Sequence, residues 1–407
     1  MKRIPCILLL VVTLFSCDKD DRTADGLSIS KKTEQLINAT NEFGLDLFTR
    51  VYNAPKTPVN FMISPFSVSV ALSMAYNGAE TETKAEMEEA LHIPDFSRDD
   101  INNSYKQSIT TLTSADDKVT MEIANSIWYS ALYPVQQPFL DVNTTYYNAE
   151  VNAANFSDAN TVNLINNWVS DKTHEKITQI ITEISPEMVM FLINAIYFKG
   201  TWTKEFNIES TQMLPFKAEN GNYQVTAMMG RKDTLNYFAN STFSAIELPY
   251  GKGNFNMMIL LPNEDKTVAD IFGQLNAANW AIWKKTFKKT NSIDLRIPRF
   301  KVEYDIKLND ILMSMGMEQA FTPSADFSGI NPARDLFISY VKHKTYIDVN
   351  EEGTEAAAVT VVGLENTSPD QTQWIPFHCY NPFLFAITEK DSGAILFMGK
   401  VGNPSKR

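Results

Sequence analysis

The sequence predicts an α+β fold in one large domain. Helical periodicity dominates the first half of the chain, and short apolar or alternating segments that are typical of strands dominate the second half. No linker rich in proline, glycine or serine separates the two halves, so one domain accounts for both. The chain has 407 residues, of which 44% are hydrophobic, and this is enough apolar material for a large core.

Two helices at the start of this domain have clear signals. The first is predicted to begin at Lys31, and its apolar face carries, at intervals of three to four residues, Leu36, Thr40, Phe43, Leu47 and Val51. After a short apolar strand, Ser64 precedes Pro65, which matches an N-cap followed by proline at the first helical position. A second helix is therefore predicted to begin at Pro65 and to end before Gly78.

Longer elements are predicted in the middle and at the end of the chain. Residues 188–198 read MVMFLINAIYF, a nearly continuous apolar run that is typical of a strand buried on both faces. We also predict a helix near residues 305–315 and a single strand over residues 336–349.

The first sixteen residues resemble the signal peptide of a bacterial lipoprotein. Lys2 and Arg3 precede an apolar run that is too short to span a bilayer. The run ends in LFSC, which resembles a lipobox with Cys17 as the lipid-bearing residue, although an ordinary signal peptide with an incidental cysteine is the alternative. The polar residues 17–30 are predicted to form a flexible tether, and the folded domain is predicted to span 31–407.

This terminus predicts export and attachment to the outer membrane of a Gram-negative-type bacterium. The membrane is then a partner through the lipid on Cys17. The acidic stretch after Cys17 resembles a tag that directs some lipoproteins to the cell surface, but an anchor that faces the periplasm stays open as an alternative.

Composition and motifs argue against several functions. The formal net charge of −12 argues against binding to nucleic acid, which needs a concentrated basic face. The four histidines show no metal-ligand spacing, and we find no nucleophile elbow, phosphate loop or dinucleotide fingerprint. We therefore expect no metal, no cofactor and no enzymatic activity, and we expect a monomer. Cys379 lies between aromatic residues and is expected to be a packed thiol.

Four segments together resemble the serpin family. They read NFMISPFS at 60–67, NAIYFKGTW at 194–202, VNEEGTEAAA at 349–358, and PFLF at 382–385 followed by FMGKVGNP at 397–404. Their order and spacing match as well, and the resemblance extends from about residue 31 to the end. It implies a serpin-like single domain with a large central β-sheet, two further sheets, eight or nine helices and an exposed reactive-centre loop at about 351–376.

The resemblance implies an irreversible suicide-substrate inhibitor of serine proteases. A protease cleaves the loop and forms an acyl-enzyme, and the loop then inserts into the central sheet before the ester is hydrolysed. The hinge of this insertion would comprise Glu351, Gly353, Thr354, Ala356, Ala357 and Ala358. The residue types themselves suit entry into a sheet, because Gly353 is permissive and the residues at 354, 356 and 358 share one strand face and are small.

The usual loop length of the family places the reactive bond at Thr367–Ser368, preceded by Leu364, Glu365 and Asn366. The segment from this bond to Pro382 is longer than the common pattern, so a bond a few residues away stays open. The small, uncharged Thr367 favours elastase-like or subtilisin-like targets over trypsin-like ones. Cysteine proteases are a further alternative.

Other positions match the family residue by residue. A polar cluster that lets the strands of the central sheet part would comprise Ser64, Ser67, Asn194 and His343. Trp202 matches the aromatic residue where insertion begins, and Arg299 matches the partner of Glu351 in an ion pair there. From the residues alone, Ser64 is an N-cap and His343 is a lone histidine in an apolar strand.

Two other functions stay open. One is a non-inhibitory serpin that acts as a binding protein, and the other is a secreted hydrolase on an unrelated fold. Bulky or charged residues at 356–358 would favour the first, but alanines occupy these positions.

Overall fold

A computed structural model describes residues 29–185, 187–355 and 373–406. Nine α-helices form in these residues. Six of them lie before residue 173, and the other three lie after residue 267. They are α1 Lys31–Asn53, α2 Pro65–Tyr76, α3 Thr81–Ala90, α4 Arg98–Ser114, α5 Gln137–Tyr147, α6 Asn160–Lys172, α7 Val268–Phe272, α8 Ala277–Thr286 and α9 Asn309–Ser314.

The same residues form fifteen strands, so the predicted α+β class is confirmed. The strands are β1 Asn60–Ile63, β2 Val119–Ser130, β3 Ala149–Ala154, β4 Met190–Thr201, β5 Gln212–Lys217, β6 Tyr223–Ala239, β7 Phe243–Tyr250, β8 Phe255–Pro262, β9 Lys288–Pro298, β10 Phe300–Lys307, β11 Lys342–Val349, β12 Gly353–Thr354, β13 Ile375–His378, β14 Phe383–Glu389 and β15 Ile395–Val401.

The strands of the described residues belong to two hydrogen-bonded sheets. The central sheet has six strands in the order β10-β11-β12-β4-β2-β3. The second sheet has nine strands, and the long β6 joins its two parts by pairing with β5, β9 and β7 at different points along its length. The two further sheets of the prediction are thus continuous with each other through β6.

One pairing in the nine-stranded sheet joins distant parts of the chain. Strand β1 pairs with β15, so that Asn60 lies opposite Val401 and Ile63 lies opposite Met398. Both strands are entirely buried, as is the neighbouring β14. The core of this sheet therefore needs residues from both ends of the domain.

The best-signalled elements form as predicted. The predicted apolar face of α1 is buried from Leu36 to Val51. The Ser64 side chain caps α2 by accepting a hydrogen bond of 3.2 Å from the Ser67 N–H, and Pro65 occupies the first turn. The apolar run at 188–198 forms β4, which begins at Met190.

Two predicted elements are wrong in extent. Strand β11 begins only at Lys342, because residues 336–341 have no neighbouring strand in the described part of the chain and the Ile338 N–H donates instead to the Ala320 carbonyl. The helix predicted near residues 305–315 is limited to α9. Its first residues continue β10, where Asp305 pairs in register with Lys344 and forms an ion pair of 2.7 Å with Lys342.

Candidate functional site: the hinge of the loop and the opening of the central sheet

Two of the predicted hinge residues, Gly353 and Thr354, lie in the central sheet and not in an exposed loop. Gly353 and Thr354 form β12 between β11 and β4, with Thr354 opposite both Val349 and Gly200. Both residues are buried. The predicted loop at about 351–376 therefore includes residues of two strands, since Ile375 and Pro376 belong to β13.

A tight turn returns the chain from β11 into the sheet. The Asn350 side chain accepts hydrogen bonds from the N–H groups of Glu352 at 3.0 Å and Gly353 at 3.3 Å, and the Asn350 N–H donates to the Gly353 carbonyl. At residue 353, a Cβ atom would collide with the Gly200 carbonyl oxygen. Only glycine allows the backbone to come this close to β4.

Thr354 is tied to the core by an aromatic pair. Its hydroxyl lies 2.8 Å from the Tyr250 hydroxyl, and burial raises the pKa of Tyr250, so this phenol stays protonated. The Trp202 ring stacks on Tyr250 with the ring centroids 4.3 Å apart. The indole Nε1–H of Trp202 donates to the Asn350 carbonyl at 2.9 Å. Trp202 thus contacts both the turn and the ring that holds β12.

The predicted ion pair is present at the same place. The Arg299 Nε–H donates to both carboxylate oxygens of Glu351, at 2.8 and 2.9 Å, and the Thr211 hydroxyl adds a bond of 2.5 Å. Burial opposes ionisation of Glu351, but the bonds from Arg299 and Thr211 outweigh it and lower its pKa below the usual value. A charged, partly buried carboxylate therefore fixes the start of the turn.

The structure brings three of the four polar-cluster residues into direct contact. The His343 Nε2 accepts a hydrogen bond of 2.9 Å from the Ser64 N–H, and Ser64 in turn caps α2 at Ser67. Burial lowers the pKa of His343 to about 4, so the ring is neutral at physiological pH.

Asn194 lies on the other side of an opening in the sheet. Its amide donates to the Asn125 side chain at 2.7 Å, but its buried Oδ1 has no hydrogen-bond partner among the described residues. Asn194, Ser67 and His343 all line one apolar cavity of about 180 Å³, whose walls are otherwise formed largely by β4 and by residues 335–344. The central sheet is therefore incomplete between β4 and the segment that precedes β11.

Several predicted positions lie outside the described residues. They are the signal peptide with Cys17, the hinge alanines Ala356, Ala357 and Ala358, and the reactive bond with its subsites Leu364, Glu365, Asn366, Thr367 and Ser368. Cys379, in contrast, is fully buried, and burial raises the pKa of its thiol.

Sequence reasoning missed the partners that hold the hinge. Tyr250 and Asn125 sit in ordinary strand patterns, and nothing in the sequence pairs them with Thr354 or Asn194. Glu355 also has a buried carboxylate next to Lys176. Strand alternation places Glu355 on the face opposite to that of residues 354 and 356. Its partner Lys176 lies in the segment after α6, and no sequence pattern links the two residues.

Within the described ranges, no group of three or more metal-binding side chains comes together, and no helix has the length and apolarity needed to cross a membrane. The site consists of a hinge, an opening and the polar groups at their borders.

Comparisons with known proteins agree with this geometry. The family model described as "Serpin (serine protease inhibitor)" matches residues 38–404. The leukocyte elastase inhibitor of Bos taurus is 33% identical over 91% of this chain and 100% of its own length. Human thyroxine-binding globulin in complex with its hormone has a TM-score of 0.83 at 26% identity, and 92% of this chain and 100% of that chain are covered.

The thermophilic serpin tengpin is similar in two states. Its native-state crystal structure has a TM-score of 0.84 and covers 93% of this chain and 96% of tengpin, at 33% identity. The latent state has a lower TM-score of 0.78 over 92% of this chain and 98% of that chain. With a family model that spans the domain and relatives that match nearly all of it, the chain belongs to the serpin family.

Proposed function

We propose that this serpin is an irreversible inhibitor of serine proteases of the elastase-like or subtilisin-like type. The observation that carries the proposal is β12, because the loop has begun to enter the central sheet between β11 and β4. Serpins include inhibitors such as the leukocyte elastase inhibitor. Cleavage would release the loop from its downstream attachment, so that the strand started at Gly353 can lengthen.

The register of β12 specifies where the following residues would lie after insertion. Each step of two residues along the loop moves two residues back along both β4 and β11. Ala356 would then lie opposite Phe198 and Ile347. Thr360 would lie opposite Asn194 and His343.

This register gives the orphaned polar group a partner. The Thr360 hydroxyl would reach the level of the Asn194 Oδ1, which has no hydrogen-bond partner among the described residues. A buried acceptor without a partner destabilises the sheet by about 1–3 kcal/mol, so insertion would relieve this penalty. The apolar cavity of about 180 Å³ along the same path would be filled by the incoming side chains.

The chemical step is acyl transfer to the target. The nucleophilic oxygen of the protease would attack the carbonyl carbon of Thr367, the bond to Ser368 would break, and its nitrogen would take a proton and leave. An ester then links Thr367 to the protease. Insertion must pull this ester away from the hydrolytic water before it is cleaved. The greater similarity to native than to latent tengpin supports a starting state in which this insertion is still ahead.

The proposed place of action is the surface of the bacterium that exports the protein, where the lipid on Cys17 would anchor it. This part of the proposal rests on the sequence of residues 1–21. The proposed partner is a protease, and cysteine proteases are included as targets because they form thioesters by the same route.

A second candidate is a non-inhibitory binding protein, which the likeness to thyroxine-binding globulin favours. The small residues at 354 and 356–358 favour inhibition instead, because they present no charge or bulk to the closing sheet. A secreted hydrolase on an unrelated fold has less support, since the serpin family model matches residues 38–404.

Denaturing gels test the proposal. The protein is mixed with elastase-like, subtilisin-like, trypsin-like and cysteine proteases, and each active protease is matched by its own active-site-blocked form. We expect an SDS-stable complex with at least one active protease and with no blocked one. The mass of the released C-terminal peptide locates the bond. Cleavage without a stable complex for any protease of the panel would contradict the proposed inhibition and would favour a non-inhibitory binding protein.

A further inference from the structure

Glu355 combines two features that seldom occur together at the exit of a strand. Its backbone is left-handed, with φ of 61°, so the extended conformation of β12 ends at this residue. Its side chain is nevertheless only 4% exposed. The Glu355 N–H donates to the Asp348 carbonyl at 3.1 Å, which continues the backbone bonding of the described hinge residues to β11.

The buried carboxylate faces two side chains from other elements. The Lys176 Nζ lies 3.6 Å from Oε2, a buried oxygen without a hydrogen-bond partner among the described residues, and the Tyr197 hydroxyl lies close enough to the carboxylate to oppose the rise of its pKa. Lys176 belongs to the segment that follows α6, and Tyr197 belongs to β4. Lys176 also lies 5.3 Å above the Tyr346 ring of β11, which limits where its ammonium can move. We call Glu355, Lys176 and Tyr197 the Glu355 latch.

The geometry points to Lys176 as a positioning residue of the inhibitory reaction, one that holds Glu355 and thereby keeps Gly353 and Thr354 paired in the sheet before cleavage. This inference rests on the proposed function. A strand of two residues is far shorter than one that is stable by its own backbone bonds. A side-chain tether at its end therefore decides whether the pairing persists.

The charges around the latch make its strength depend on pH. Burial raises the pKa of Glu355, with Lys176 and Tyr197 opposing this effect and Asp348 adding to it. The other titratable groups that border the latch are Glu122 and His174 beside Tyr197, and Lys301 and Glu303 beside Tyr346.

The sign follows from the raised pKa. Because the latched carboxyl binds a proton more tightly than a solvated one, the latch is strongest below the ordinary pKa of glutamate and weakens as the pH rises through the raised value. The Lys176 ammonium limits this loss when Glu355 is ionised. Removal of the Lys176 ammonium should therefore weaken the latch most near neutral pH and least in acid.

Hydrogen exchange measured by mass spectrometry tests the latch without any protease. The exchange of peptides that cover residues 350–356 is compared between wild type and each variant at the same pH, near pH 5 and near pH 7.5. The variants are Lys176→Met, Lys176→Arg, Glu355→Gln and the double variant Lys176→Met/Glu355→Gln. The matched control is Lys172→Met, since Lys172 lies at the end of α6 and pairs with Glu150 at 2.6 Å instead of with the hinge.

For Lys176→Met we expect exchange of the hinge to accelerate about tenfold near pH 7.5 and less than about threefold near pH 5. Lys176→Arg should keep the wild-type rate, because the positive charge is retained. Neutral glutamine at 355 needs no cation, so adding Lys176→Met to Glu355→Gln should leave the exchange rate of the Glu355→Gln hinge unchanged. An unchanged or slower hinge in Lys176→Met, or an equal effect of Lys172→Met, would overturn the inference.

Tyr197→Phe gives a second route if Lys176→Met does not fold. It removes only the hydroxyl that interacts with the Glu355 carboxylate, and we expect the exchange rate to change in the same direction by about threefold near pH 7.5. A hinge unaffected by this variant and by Lys176→Gln would equally contradict the latch.

A protease assay then separates the two claims. With a protease that the wild type traps, the molar excess of Lys176→Met needed for full inhibition should rise severalfold near pH 7.5, whereas the double variant should need the same excess as Glu355→Gln alone. If no protease is trapped at all, the proposed function fails while the exchange data still decide the latch. If trapping is normal but exchange is unchanged, only the latch fails.

Discussion

The hydroxyl groups of Thr354 and Tyr250 lie 2.8 Å apart, both buried, at the point where the loop meets the central sheet. A residue at 354 must therefore be small and able to share a hydrogen bond with a phenol. Replacement by arginine would bring a charge into this buried place, which is strongly unfavourable without a partner.

We expect Thr354→Arg to convert the inhibitor into a substrate. The protease should cleave the loop and escape, and the molar ratio needed for full inhibition should rise at least about tenfold, because a barrier of more than about 1.4 kcal/mol is added to insertion. Thr354→Ser keeps the hydroxyl and serves as the control. The inhibitor is titrated against a protease whose active-site concentration is known. An arginine variant that inhibits as well as the wild type would contradict insertion through β12.

A second prediction concerns the register of the inserted loop. Thr360→Val should destabilise the loop-cleaved protein by about 1–3 kcal/mol, because the valine leaves the buried Asn194 Oδ1 without the hydroxyl that the register supplies. Guanidinium unfolding of the cleaved proteins measures this difference. The same pair of proteins before cleavage is the control, and equal stability of the two cleaved forms would show that the register differs.

The ion pair of Glu351 and Arg299 predicts a loss of stability with a definite pH dependence. Arg299→Met removes a bidentate partner of a buried carboxylate and should cost about 1–3 kcal/mol near pH 7. Since the pKa of Glu351 is lowered in the fold, the stability that this pair contributes is present above the usual value of 4.5 and is lost as the pH falls through the lowered value.

Urea unfolding at several values between pH 7 and pH 3 checks the Arg299 prediction. Wild type and Arg299→Met should differ clearly at the upper end and converge at the lower end. Arg296→Met is a suitable control, because the Arg296 guanidinium bonds the exposed side chain of Gln212 and not the hinge. A constant difference across the range would mean that the charge of Glu351 is not involved.

His343 predicts a pH effect of the same sign in a different window. Burial lowers its pKa from 6.5 to about 4, so the unfolded chain binds a proton between these values that the fold does not bind. Stability should therefore fall as the pH drops from about 6.5 to about 4, by about 2–3 kcal/mol from this group.

His343→Gln separates the charge of His343 from its hydrogen bond. Glutamine is neutral throughout and can still accept a bond from the Ser64 N–H, so the slope of stability against pH between about 4 and 6.5 should flatten. His92→Gln is the control, because the His92 ring is partly exposed beside Glu42 and does not line the cavity. A slope as steep as that of the wild type would exclude His343 as its source.

Local sequence signals predicted much of the fold, because the information they carry is local. Ser64 and Pro65 mark the start of α2 through a cap and a fixed φ, and both act within one turn. The strand at 336–349 failed for a nonlocal reason. Its first six residues are apolar enough for a strand, but no partner strand lies beside them, and a ladder needs a neighbour that periodicity does not reveal.

The candidate site divides in the same way. Resemblance placed Glu351 and Arg299, and the structure shows them in contact. It did not place Tyr250, Tyr197 or Lys176, because each reaches the hinge across a gap of more than a hundred residues in sequence. The alternation of residues also could not show that β12 already occupies the sheet, because small residues are compatible with an exposed loop as well as with an inserted strand.

The pairing of β1 with β15 has a consequence for how the chain acquires its structure. Asn60 finds its neighbour Val401 only after the long stretch of chain between them has been made. Contacts of such long sequence separation require a large loop to close before they contribute any stability, and proteins dominated by them fold slowly. Strand β15 is therefore synthesised late but is needed for the larger sheet to assemble. A polypeptide cut short before Ile395 would lack this fully buried strand.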